Sequence, residues 1–304
     1  VASTKRRRII KYTAIGLAAL LALYIGMSVF GAVKAMEVPR LPLEGSPESV
    51  GLEYEDVSFP SREDGVLLKG WYLPSSGEPV IIIVNGGFQP RLDETVDTLN
   101  LTRDLVARDY NVLLFDLRGR GESEGDGRSL SNIERDLGGA FDYLKSRGYP
   151  AENIYIIGYC SGAASACIFA SQEDFGALVM DGCFADVYGM VVRQAQALGI
   201  PAFFVDFFYP GIFLAGKLIY SFELVNPIEV IAEVECPIFF IHEENDELIT
   251  LQEMEELFAL APNPENQFWE VSDALHSESY NTHPAEYIEK VDAFFTEYGG
   301  AGQG

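Results

Sequence analysis

Residues 154–166 read Ile-Tyr-Ile-Ile-Gly-Tyr-Cys-Ser-Gly-Ala-Ala-Ser-Ala. A short β-branched run ends at Gly158 and a helix of small residues begins near Ser161. Cys160 stands between them, with glycine two positions before and two after. This spacing belongs to a sharp strand-to-helix turn that forces the central residue into a strained backbone and leaves no room for side chains at the flanking positions. The Cys160 side chain is therefore expected to stand clear at a helix amino terminus, where the dipole and free amide groups favour a thiolate. Taking Ser161 as the central residue would put Tyr159 at a position that must be small, so Cys160 is the preferred nucleophile. A purely structural cysteine in a domain without catalysis is the other reading.

Outward from this turn the chain alternates strand and helix. Upstream, Leu52–Phe59 and Val66–Leu73 read as a hairpin around Glu63-Asp64-Gly65. Val80–Val84 follows as a strand buried on both faces and ends at Asn85-Gly86-Gly87. A helix over Asp93–Arg108, a strand over Val112–Asp116 and a helix from about Leu130 to Arg147 lead to the turn. Downstream come Ser161–Ala170, Ala177–Met180, Pro237–His242, Gln252–Leu260, Phe268–Val271 and Pro284–Tyr298. Alternating βα units of this length predict an α/β fold, a mostly parallel eight-stranded sheet with helices on both faces.

The segment 184–234 breaks the alternation. It has no strand signal and is rich in aromatic residues, with Ile200–Tyr220 especially apolar. A small helical cap over the carboxyl ends of the strands, lining an apolar pocket, is the expectation. Ordinary packing helices are the alternative. A second membrane span is disfavoured because Pro201, Asp206, Pro210 and Lys217 interrupt the run.

At the amino-terminal end, Tyr12–Val33 is uncharged and long enough to cross a bilayer, and Lys5, Arg6, Arg7, Arg8 and Lys11 precede it. The predicted organisation is a cytoplasmic basic tail (1–11), a transmembrane anchor (12–35), a Pro-, Glu- and Ser-rich linker (36–51) and a catalytic domain (52–300) beyond the membrane. A cleaved secretory signal ending near Val33-Lys34-Ala35 is the alternative. Of the 21 basic residues, seven lie in the first 40 positions together with only Glu37 of the 46 acidic ones; the rest carries 14 against 45, or −31. Such a surface excludes a nucleic-acid partner. The four cysteines (160, 167, 183, 236) show neither metal-type pairing nor a disulfide framework, and no metal or cofactor is expected.

A nucleophile needs a base, and the three histidines are His242, His276 and His283. His242 ends a buried strand and His283 precedes Pro284 at a helix start, so both have structural explanations. His276 lies in a loop after the last strand, where a general base is expected. The carboxylate that orients it should follow the penultimate strand. Asp246 is favoured over Glu243 and Glu244 because it falls in the turn after that strand, with Asp181 as the substitute. Two backbone amides should hold a developing oxyanion: Ser161, and Gly87 or, in the other register, Phe88.

These residues, with Asp116-Leu117-Arg118-Gly119-Arg120-Gly121-Glu122-Ser123, resemble the α/β-hydrolase superfamily over about Leu52–Tyr298, in particular its membrane-anchored, prolyl-oligopeptidase-like and esterase-like members. Two positions depart from the family pattern: Asn85-Gly86 stands where His-Gly is usual, and Cys160 stands where serine is usual. Dienelactone hydrolases of the same superfamily use a cysteine there. The resemblance implies hydrolysis of an ester, lactone or thioester with an apolar part through Cys160, His276 and Asp246. A proline-selective peptidase and a membrane-tethered binding protein without turnover are the alternatives.

Overall fold

A computed structural model describes residues 2–125, 133–220 and 224–298. It divides into two compact units: the described residues of 38–193 and 224–304, and those of 1–37 and 194–223. Each is taken separately.

The larger unit is built on one eight-stranded sheet: β1 (Glu55–Pro60), β2 (Leu67–Leu73), β3 (Val80–Val84), β4 (Asn111–Phe115), β5 (Ile154–Tyr159), β6 (Ala177–Asp181), β7 (Ile238–Glu243) and β8 (Gln267–Val271). Their order is β1-β2-β4-β3-β5-β6-β7-β8. The β1–β2 and β2–β4 pairs are antiparallel and the others parallel. Strands β3 to β7 are buried along their whole length, which explains their unbroken Val, Ile and Leu runs. Successive side chains feed opposite faces. Val80, Ile82 and Val84 join a core with helices α3 (Ile133–Ser146), α4 (Ser161–Ala170) and α8 (Leu251–Leu260). Ile81 and Ile83 join a core with α2 (Thr98–Val106) and α10 (Pro284–Tyr298). Each such aliphatic side chain contributes about 1.5–3 kcal/mol by leaving water.

Two boundaries differ from the sequence reading. Helix α2 starts five residues later than expected, because Asp93 turns its carboxylate back onto the Thr95 amide and its carbonyl onto Thr98, closing a loop first. The helix expected from about Leu130 is described from Ile133 onward; 130–132 lie outside the described residues, as do 299–300 at the expected end of the domain. The stretch expected as a free linker is docked on the larger unit from Val38 onward. Arg40 donates to the carbonyls of Gly121 and Ser123 at 2.7 Å each, tying it to the loop after β4.

The segment expected as a cap, 184–234, divides between the two units. Phe184–Arg193, which carries the start of α5 (Val187–Ala197), stays with the sheet, as does the segment from Leu224 to α7 (Pro227–Val230). The middle of the segment, with α6 (Ala202–Tyr220), groups instead with the 34-residue amino-terminal helix α1 (Ala2–Ala35). The short α9 (Ser279–Thr282) lies between β8 and α10.

Candidate active site

Strand β5 delivers the nucleophile turn. Cys160 has φ 50° and ψ −116°, a strained combination for a residue with a side chain. Two bonds hold it: its amide donates to the Asp181 carbonyl at 2.9 Å, and its carbonyl accepts from the Ala164 amide. The flanking glycines are sterically required. A Cβ on Gly158 would lie 2.6 Å from Ala163 Cα, and one on Gly162 would collide with the Val84 carbonyl. Tyr159 is completely buried with its hydroxyl 2.8 Å from that of Tyr287. Its size is accommodated only because it points away from the turn.

Cys160 is the only one of the four cysteines that is partly exposed. Burial pushes the thiols of Cys167 and Cys183 well up and that of Cys236 up to about 12. Ser161, the rival nucleophile, is buried, and its Oγ accepts from the Gly87 amide at 2.8 Å. It serves the loop after β3 instead of facing a base.

His276 comes from the loop after β8, and its Nδ1 lies 2.6 Å from Asp246 Oδ2. Asp246 is fully enclosed, and its other oxygen accepts from the Leu248 and Ile249 amides at 2.7 and 2.8 Å. That leaves Oδ2 aimed at the imidazole. Burial works to lower the His276 pKa, but hydrogen bonds to Asp246 and to Cys160 outweigh it and push it up to about 11. An imidazolium beside the sulfur is the state this environment favours. His242 is buried, which lowers its pKa. His283 Nε2 meets the Ser272 carbonyl at 2.9 Å and braces the same loop from outside.

A second acidic layer lies behind the imidazole. Asp181 ends β6 and Glu243 ends β7, and each keeps one buried carboxyl oxygen, Asp181 Oδ2 and Glu243 Oε2, without a hydrogen-bond partner among the described residues. Burial raises both pKa values, Asp181 to about 6 and Glu243 well above the ordinary range. Glu243 Oε1 also accepts from the Ser277 amide at 2.7 Å, and Asp181 Oδ1 from Ser279 Oγ at 3.1 Å. The pair therefore clamps the residues that follow His276. Gly182, with φ 60°, lets the ring approach: a Cβ there would lie 3.2 Å from His276 Cε1. Sequence reasoning treated Asp181 and Glu243 as rivals of Asp246; their position at the ends of adjacent parallel strands gives them a separate structural task.

The loop after β3 closes the site. Strand pairing sets Val84 beside Gly158, and a Cβ on Gly86 would lie 2.7 Å from Cys160 Cβ. The buried Arg120 donates to the Gly87 carbonyl through Nε and Nη2, at 3.0 and 2.6 Å. A trans peptide holds C=O and N–H in opposite directions, so this grip turns the Phe88 amide away from Arg120. Among the described residues the Phe88 amide makes no hydrogen bond, whereas that of Gly87, the expected oxyanion donor, is taken by Ser161. The sequence signal for Arg120 was present in the Asp116–Ser123 motif, but its target was not legible.

His242, Glu243 and Asp246 bring potential metal-ligand atoms within 4.8 Å of one another. Asp246 is committed to His276 and two amides, and Glu243 Oε1 to the Ser277 amide. The group reads as the polar wall under the His276 loop.

A family model described as "Alpha/beta hydrolase family" matches residues 81–290. The chain is 26% identical over 282 residues to the Arabidopsis thaliana alpha/beta hydrolase domain-containing protein WAV2, covering 87% of each chain. It is 25% identical to the zebrafish (Danio rerio) lysophosphatidylserine lipase ABHD12 over 72% of this chain and 53% of that one. Among solved structures, the Pyrococcus furiosus esterase Pf2001 superposes with a TM-score of 0.75 at 24% identity, over 87% of this chain and 98% of its own.

Proposed function

Because this chain belongs to the alpha/beta hydrolase family, we propose that it hydrolyses an ester-type bond (ester, lactone or thioester) through Cys160, His276 and Asp246. The observation that carries this reading is the His276 imidazole, held 2.6 Å from the enclosed Asp246 carboxylate and raised in pKa by Asp246 and by Cys160 on the strained turn. His276 takes the Cys160 proton on Nε2, and the thiolate attacks the substrate carbonyl carbon to form a C–S bond. The Ser161 amide, at the start of α4, and the Phe88 amide, oriented by Arg120, hold the oxyanion. Collapse breaks the bond to the leaving group, which receives its proton from His276. A water molecule, deprotonated by the same imidazole, then cleaves the thioester and restores the thiolate. The lipase and esterase among the similar proteins support an ester substrate with an apolar part.

The amino-terminal apolar helix is an anchor or a signal; in this reading α1 is an uncleaved anchor, with the catalytic domain on the extracytoplasmic side. A partly exposed thiol there is open to oxidation, so activity requires a reductant.

The test is hydrolysis of a short-chain p-nitrophenyl ester by the full chain in detergent under reducing conditions. Cys160→Ala should lower kcat by about 10³-fold or more, and Ser161→Ala should leave most activity. Loss with Ser161→Ala alone would move the nucleophile by one residue. No turnover in the wild type on esters, lactones or thioesters would sink the reading in favour of a binding protein.

A further inference from the structure

We infer that the segment 194–220 is a re-entrant membrane element, entering and leaving the bilayer from the domain side and packing against α1 within it. This rests on α1 being a membrane anchor, as proposed above.

Helix α6 is apolar and long enough to cross a membrane, yet only 11% of its apolar window is buried. Phe203, Phe207 and Leu218 are 62%, 61% and 76% exposed, with Leu214 on the same side. Water does not tolerate such a surface on a helix of this length without a partner. One face of α6 packs against α1, in the manner of helices packed in lipid, with small residues at the contact. The Tyr24 hydroxyl donates to the Phe207 carbonyl at 3.1 Å, and its ring meets those of Phe207 and Phe208 at 5.1 and 5.5 Å. A Cβ on Gly211 would press on Tyr24 and Ser28, and one on Gly31 would lie 2.7 Å from Ile212. Ser28, Ala32, Met36 and Ala215 are buried. The exposed face of α6 thus continues the exposed apolar surface of α1. That continuity identifies its occupant as lipid hydrocarbon.

The geometry also fixes how α6 must enter. The contacts run Tyr24 to Phe207, Ser28 to Gly211 and Met36 to Gly216, so the two helices are parallel. Strands β1 to β6 precede α6 and β7 and β8 follow it, all in a single sheet. A full crossing would put parts of that sheet on opposite sides of the membrane. A hairpin is required instead, with its deep end at Leu198-Gly199-Ile200-Pro201-Ala202-Phe203-Phe204, where Gly199 turns the chain at φ 78°. Phe207 is level with Tyr24, about 17 Å along α1 from its domain end at 1.5 Å per residue, close to half of a hydrocarbon core of about 30 Å. Lys217 lies in the last turn of α6, at the shallow end, where its stem can reach the headgroups. Asp206, near the deep end, has an interaction of its own and does not enter as a bare charge.

The test uses full-length protein in phosphatidylcholine vesicles, in a Cys160→Ala background so that the single added cysteine is the accessible one. A fluorophore is attached at Leu20→Cys on α1, Phe204→Cys or Leu218→Cys on α6, or Glu289→Cys on α10, and quenched by lipids carrying nitroxide at shallow or deep acyl positions. The expected result is quenching at Phe204 mainly by deep nitroxide, at Leu218 mainly by shallow nitroxide, at Leu20 by nitroxide lipid, and none at Glu289. Quenching at Leu20 with none at Phe204 and Leu218 would overturn the inference and leave the anchor standing. No quenching at any position would remove the anchor, and this inference with it. Energy transfer between copies labelled at Leu218, without lipid quenching, would assign the face to a second copy instead.

Discussion

Arg120 forms no ion pair among the described residues; burial brings its pKa down to about 10, and its donors go to the Gly87 carbonyl. If its task is to orient the Phe88 amide, Arg120→Met should lower kcat by about tenfold or more with KM nearly unchanged, since an oxyanion donor acts in the transition state. A loss in KM alone would contradict that role. The Asp181–Glu243 pair makes a prediction about pH. Both carboxyls have raised pKa values in the folded state, so the folded chain holds protons that the unfolded chain releases. Their contribution to stability is complete below about pH 4 and is lost as pH rises through about 6 for Asp181 and further for Glu243. Glu243→Gln removes one of the two raised carboxyls, so thermal melts from pH 5 to 8 should show a smaller fall in Tm than in wild type. At this scale the sequence reading proposed Cys160, His276 and Asp246 from the order of turns and strand ends. It could not separate the tasks of Asp181, Glu243 and Asp246, because three carboxylates beside strand ends look alike until their distances to one imidazole are known.

The nucleophile turn behaves as one element, since β5, Cys160 and α4 are locked by glycines on either side. Gly158→Ala would bring a Cβ against Ala163 Cα, and a buried backbone clash of this kind costs about 1–3 kcal/mol or more. Chemical denaturation should show the loss together with reduced hydrolysis, because the turn cannot relax without moving Cys160. Helix α8 carries a full capping box, with Thr250 Oγ accepting from the Glu253 amide and Glu253 reaching back. Thr250→Ala should cost about 1 kcal/mol and leave activity intact, and equilibrium unfolding would check it. The strands were legible because both-face burial leaves continuous Val, Ile and Leu runs. The surroundings of α6 were not legible, because an apolar aromatic helix has the same composition whatever apolar partner covers it.

At the scale of the molecule, every proposed catalytic residue lies in the larger unit, whereas the exposed aromatics of α6 lie in the smaller one. A chain beginning at Val38 should therefore keep hydrolysing p-nitrophenyl esters in detergent, yet aggregate in buffer, because α6 has lost the helix that covers Tyr24's side of it. Activity assays with light scattering would check both halves, and a truncated chain that stays monomeric without detergent would contradict the second. The sheet order carries a further consequence in time. Cys160 is synthesised more than a hundred residues before His276, and β7 and β8, which bring Asp246 and His276, close the far edge of the sheet only after the α6 segment has been made. During synthesis the Cys160 thiol has no histidine beside it until the last strand is made. In the proposed mechanism, the cysteine is armed last.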